Sequence, residues 1–176
     1  MKRLIASAKL LLASSAAIGL SPLAAANNHC PAKAHAVAVS ASVFGYFDYD
    51  MGAWVGNVLL QIGDQPVKIA YFVDRNTGYE PLPNGAARGT ETMSVSLLDG
   101  SGTFDLFSRF VGTPTSVPGL YQLHETGKIA NGTGQFSGAI GTVAIEGPYM
   151  NIDPVPDTPT PFIGSMHGEI SEPNSQ

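Results

Sequence analysis

Residues 90–111 read Thr90-Glu-Thr-Met-Ser-Val-Ser-Leu-Leu98, then Asp99-Gly-Ser-Gly102, then Thr103-Phe-Asp-Leu-Phe-Ser-Arg-Phe-Val111. Before the turn, Glu91, Met93, Val95 and Leu97 share one face, and Thr92, Ser94 and Ser96 share the other. After it, Phe104, Leu106, Ser108 and Phe110 lie opposite Asp105, Phe107 and Arg109. A polarity period of two belongs to a β-strand with one covered face. Asp-Gly-Ser-Gly supplies residues that tolerate the positive φ of a tight turn. The stretch therefore predicts a β-hairpin whose inner face needs a partner surface.

The same grammar extends outward in both directions. Runs rich in Val, Ile, Phe and Tyr fall at 37–47, 54–62, 67–75, 90–98, 103–111, 120–129, 135–146 and 162–170. Gly63-Asp64-Gln65-Pro66 reads as a hairpin turn, and Asn131-Gly132-Thr133-Gly134 as another. Longer connections are expected at 76–89 and 148–161. The second holds Pro148, Pro154, Pro156, Pro159 and Pro161, so it is expected to be a loop over one rim and not a ladder-paired strand. No stretch keeps a helical period. Eight short strands joined mainly by hairpins predict an all-β chain: a single eight-stranded antiparallel up-and-down barrel, with a β-sandwich as the alternative. Closure removes exposed edges. Eight strands enclose a space that side chains fill or that holds one small ligand.

The ends carry different information. Lys2, Arg3 and Lys9 precede an apolar stretch from Leu10 to Leu20, and Ala24-Ala25-Ala26 offers a small-residue cleavage site. This is a secretory signal-peptide pattern over 1–26. The apolar stretch is short of the roughly 18–20 residues of a membrane span. A flexible leader is expected at 27–36, the barrel domain at 37–171 and a polar tail at 172–176. The protein is then exported, periplasmic or extracellular, with no membrane insertion.

The 176 residues include 9 Lys or Arg against 14 Asp or Glu, a net charge of −5. An acidic chain without basic clusters argues against nucleic-acid binding. At 44% hydrophobic residues, the chain is too apolar for intrinsic disorder. Its one cysteine, Cys30, excludes a disulfide framework or a cysteine-rich zinc module.

Chemistry enters through residues that break the apolar faces. Glu91 shares its face with Met93, Val95 and Leu97, and Glu125 shares its own with Tyr121, Leu123 and Ile129. A carboxylate on a covered face must be paired or hold its proton, and in a cavity it is a candidate general acid or base. Glu91 and Glu125 are the candidate catalytic residues. The ordinary reading, a carboxylate near a strand end reaching solvent, suits Glu91 better, because Glu91 opens its run. Trp54, Tyr71, Tyr121, Phe104 and Phe136 are candidate ligand-binding aromatics, with core packing as their ordinary role. Arg109 is a candidate counter-charge to a buried acid, or else one half of an exposed cross-strand pair. Asp48-Tyr-Asp50-Met-Gly52 starts like a calcium loop, but no Glu closes it. His167 and Glu169 alternate onto one face without a clear third ligand. Gly132-Thr-Gly134 lacks the following helix of a dinucleotide loop. No metal and no cofactor are expected.

One longer stretch carries a resemblance. Gly127-Lys-Ile-Ala-Asn-Gly-Thr-Gly-Gln-Phe-Ser-Gly-Ala-Ile-Gly-Thr-Val-Ala-Ile-Glu-Gly147 is followed by a final strand ending Gly164-Ser-Met-His-Gly-Glu-Ile170. This resembles the glycine-rich hairpin and last strand of the allene oxide cyclase and dirigent barrel superfamily. The resemblance implies an eight-stranded calycin-like barrel. It also implies a function among cofactor-free cyclases, stereochemistry-guiding binding proteins and secreted bacterial barrels. Because dimeric and trimeric members exist, it implies a homo-oligomer as well. No residue here is matched to the catalytic glutamate of the plant cyclases.

Three functions follow as expectations. The first is a secreted β-barrel binding a small hydrophobic molecule in its interior. The second is a cofactor-free isomerase or cyclase using a buried Glu. The third is a structural envelope protein with a filled barrel. Inner volume separates the third from the others.

Overall fold

The alternation at 90–111 closes into a ring. In a computed structural model, which describes residues 36–150 and 160–171, eight antiparallel strands form one closed up-and-down barrel. They are β1 (Ala36–Asp48), β2 (Ala53–Ile62), β3 (Lys68–Pro81), β4 (Ala87–Leu97), β5 (Gly102–Pro114), β6 (Leu120–Gly134), β7 (Ile140–Met150) and β8 (Thr160–Ser171). Each strand pairs with its sequence neighbours, and β8 returns to pair with β1, Met166 opposite Ala41. Closure excludes the sandwich alternative. The expected signal peptide, Cys30, leader residues 27–35, the proline-rich stretch 151–159 and the tail 172–176 lie outside the described residues.

Three local expectations are corrected. Asn131-Gly132-Thr133-Gly134 is not the turn; β6 runs through it, and the turn follows at 135–139. The residues that tolerate positive φ serve a β-bulge instead. Register jumps between Thr103/Thr133 and Asp105/Ala130, Asn131 sits at φ 53°, and its amide donates to Asp105 Oδ2 at 2.9 Å. Connection 76–89 is mostly strand: β3 runs on to Pro81 and β4 starts at Ala87, across a bulge at Asn76/Gly78. Pro148 and Pro161 lie within strands, opposite Gln122 and Tyr46. A proline lacks only the donor, so it fits where its nitrogen is not asked to pair.

The inner faces pack in layers. At the end that holds the 98–101 and 135–139 turns, Phe104 and Phe136 meet edge to face with ring centroids 4.9 Å apart. Ile129, Leu97 and Ile170 complete that floor. Above it, Val43, Val58, Leu60, Val95, Leu106 and Ile145 are almost fully buried. Burying each of these side chains contributes about 1.5–3 kcal/mol. The barrel is thus plugged from the floor to its middle, and what lies above the plug is the candidate site.

Candidate functional site

Among the described residues, the buried polar or charged ones are Asp74, Glu91, Ser108, Glu125 and Thr160. Four of these gather in one layer above the plug, and strand register explains why. Asp74 of β3 pairs with Met93 of β4, two residues from Glu91. Glu91 pairs with Ser108 of β5, and Ser108 with Gly127 of β6, two residues from Glu125. Positions two apart share a face, so three strands deliver three carboxyl groups and a fourth delivers a hydroxyl. One oxygen from each of Asp74, Glu91 and Glu125 lies within 4.8 Å of the other two. Gly127 leaves room for this approach. A Cβ there would stand 2.9 Å from Ser108 Cβ and 2.7 Å from Leu106 Cδ1.

Three like charges cannot all persist in so small a buried volume. Burial pushes Asp74 up to about 7, against the pull of its hydrogen bond with Glu91. Glu91 rises furthest, to about 10, through burial first and then repulsion from Asp74 and Glu125. Glu125 rises to about 8 through burial and repulsion from Asp74, opposed by the nearby Ser108 hydroxyl. At neutral pH the cluster therefore holds protons, and Glu91 is its carboxylic acid. Asp74 Oδ1, Glu125 Oε1 and Ser108 Oγ have no hydrogen-bond partner among the described residues. Buried polar atoms left unpaired are costly, so they mark a place where something else belongs.

Above the cluster is a cavity of about 310 Å³. Asp74, Glu91 and Glu125 form its polar patch, and Phe72, Met93, Leu123 and Phe110 its nearest apolar walls. The mouth is an aromatic collar. Trp54 meets Phe47 at 5.4 Å, Tyr149 at 5.9 Å and Phe162 at 6.3 Å, all edge to face. Tyr121 stacks on Tyr149 at 5.3 Å. Tyr49 Oη and Thr160 Oγ1, 3.1 Å apart, tie the 49–52 turn to β8. Burial also lifts the Tyr149 phenol to about 12, so it stays a neutral hydrogen-bonding group.

The residues singled out from sequence divide into three groups. Glu91 and Glu125 meet in the polar patch of one cavity, and Trp54 and Tyr121 also line it. Glu91 does not reach solvent from a strand end, because β4 begins at Ala87 and places it inside the strand. Phe104 and Phe136 belong to the floor and not to the cavity wall. Tyr71 and Arg109 are on the outer face, Tyr71 beside exposed Ile69 and Val67. Arg109 pairs in register with Thr90 and Thr126 and has no acidic partner among the described residues. The apolar outer row of Val67, just before β3, and Ile69, Tyr71 and Val73 on it reads like an inner one. The true inner row is Ala70, Phe72 and Asp74.

Asp74, Ser108 as a site residue, and the collar residues Phe47, Tyr149 and Phe162 were not found from sequence. Register across the 63–66 turn holds the signal for Asp74, which lies directly opposite inward-facing Trp54. His167 and Glu169 point outward and are exposed. Three carboxyl oxygens, one from each of Asp74, Glu91 and Glu125, converge within 4.8 Å of one another. Comparison of the chain with protein-family models, with curated proteins and with solved structures finds no match.

Proposed function

We propose that this protein is an exported barrel that takes up one small, mainly apolar molecule through the aromatic collar and holds it above the carboxyl cluster. The observation that carries this reading is the cavity of about 310 Å³ above a core of buried apolar side chains. That volume is at the lower end of the about 300–1,000 Å³ typical of ligand pockets. Apolar walls with a few convergent polar groups are the usual make-up of such a site. A structural barrel filled throughout has no such space, so the third expectation is disfavoured. The strands turn apolar residues inward and residues such as Ser94, Asp105, Lys128 and Glu146 outward. A membrane-spanning barrel has the reverse arrangement. The resemblance to the allene oxide cyclase and dirigent barrels adds weight to interior binding. Native mass spectrometry of protein purified from its own host tests the reading. A retained small molecule, released on denaturation, is expected. A bare mass, together with no thermal shift from fatty acids, terpenoids and phenolics, would overturn it.

A second reading is favoured by one specific observation. Glu91, at about 10, is an acid at neutral pH, while Asp74, at about 7, is half ionised in the same cavity. Two carboxyl groups with separated affinities can act as acid and base together. Asp74 or Glu125 would take a proton from one atom of the substrate as Glu91 gives one to another. This is an isomerisation that needs no cofactor, and the barrel would hold the substrate in one reactive conformer. Retention of turnover by both Glu91→Gln and Glu125→Gln would end this reading.

A further inference from the structure

The occupant's chemistry can be narrowed beyond "small and apolar", and this step rests on the interior-binding reading above. Among the described residues, no Lys, Arg or His reaches the cavity. Lys68, the basic residue nearest the inner face, is at the far, plugged end and is bound to Asp99 at 3.0 Å and Ser101 at 3.1 Å. Arg88 is outside, paired with Glu80. Three carboxyl groups are therefore buried with no counter-charge among the described residues. Asp74 and Glu125 each keep a free oxygen, and the buried Ser108 hydroxyl is a third group without a partner. Ser108 is 5% exposed and lies between Glu91 and Glu125 in the register, so it belongs to the same layer. The rest of the wall consists largely of aromatic rings, whose faces attract cations and whose bodies accept apolar groups.

We propose that the cavity is built for an organic ammonium: a small molecule with a protonated primary amine at one end and an apolar, ring-sized body at the other. The amine's N–H donors match the free oxygens of Asp74 and Glu125, both of which line the cavity. Its charge replaces the protons the carboxyl cluster must otherwise hold. The apolar body lies against Phe72, Phe110 and the collar. A bare divalent ion would leave the apolar and aromatic walls, Phe72, Phe110 and the collar, without a use. A carboxylate ligand would add a fourth acid to a cluster whose three cannot all ionise.

The test compares three probes of one shape by isothermal titration calorimetry: 2-phenylethylamine, 2-phenylethanol and phenylacetate. The amine is expected to bind about tenfold tighter than the alcohol or better, with no detectable phenylacetate binding. Amine binding should release protons to the buffer, because the ammonium favours ionised carboxylates. In Asp74→Asn combined with Glu125→Gln, the amine's advantage should vanish while alcohol binding persists. Glu125→Gln alone, an isosteric change, should reduce that advantage if the double variant does not fold. Equal affinity for amine and alcohol would overturn this inference and leave interior binding standing. A larger thermal shift with manganese or calcium chloride than with the amine would also overturn it. If none of the probes binds and native mass spectrometry finds a bare protein, both proposals fall together.

Discussion

At the scale of single residues, the main consequence is an inverted pH dependence. Most proteins are weakened by acid because their carboxylates are better off ionised when folded. Here the opposite holds for three groups. Unfolded, Asp74 titrates near 3.8 and Glu91 and Glu125 near 4.5; folded, they titrate near 7, 10 and 8. Between these limits the folded chain binds more protons than the unfolded one. Their stabilising share is fully present below about 4, declines as pH climbs, and is gone by about 10. Thermal melts from pH 5 to pH 9 should therefore show the melting temperature falling with pH. Glu91→Gln carries a neutral near-isostere of the protonated acid, so it should flatten that fall while changing stability little at pH 5. A wild-type melting temperature that rises across this range would contradict the burial of the cluster. Glu125→Leu removes a carboxyl group with an unpaired oxygen. By analogy with replaced buried ions, chemical denaturation at pH 8.5 should find this variant as stable as wild type, or more stable by about 1–4 kcal/mol.

At the scale of elements, the devices that shape the barrel are its bulges and turns. Gly134 ends β6 at φ 56°, and a Cβ there would run into Ser101 O. Gly134→Ala should cost at least the about 1–3 kcal/mol of a left-handed non-glycine residue, measured by urea denaturation. Phe104→Ala opens the floor where it packs on Phe136, and the loss should reach about 3–5 kcal/mol in the same assay. That variant should leave carboxyl-cluster titration unmoved, since the floor and the site are separate layers. These elements also show what a sequence can and cannot say. The 90–111 hairpin was legible because its alternation is strict and its turn is rich in Gly. The 131–134 segment was misread because a bulge and a turn demand the same backbone freedom. Strand β3 was misread because both of its faces are apolar over 67–73, so polarity alone does not say which is inside. Its pairing with β2 does, and pairing is a tertiary fact.

At the scale of the whole molecule, the barrel is a container with one end plugged and the other collared by aromatic rings. Its only large polar inner surface among the described residues is the carboxyl cluster. Glu91 and Glu125 could be found separately from the sequence, each as an acid on an apolar face. Their meeting could not, because it depends on the stagger of β3, β4, β5 and β6 around a closed ring. Asp74 completes the cluster from the strand whose face was ambiguous. The account stands on the claim that three carboxyl groups hold protons together inside this cavity. The most direct measurement is a carbon-13 NMR titration of the side-chain carboxyl groups from pH 3 to pH 11, with Asp74, Glu91 and Glu125 assigned by substitution. The predicted result is three resonances that titrate well above their fellows, Glu91 last and near 10. Completion of all three titrations by about pH 5, as for ordinary exposed carboxylates, would contradict it.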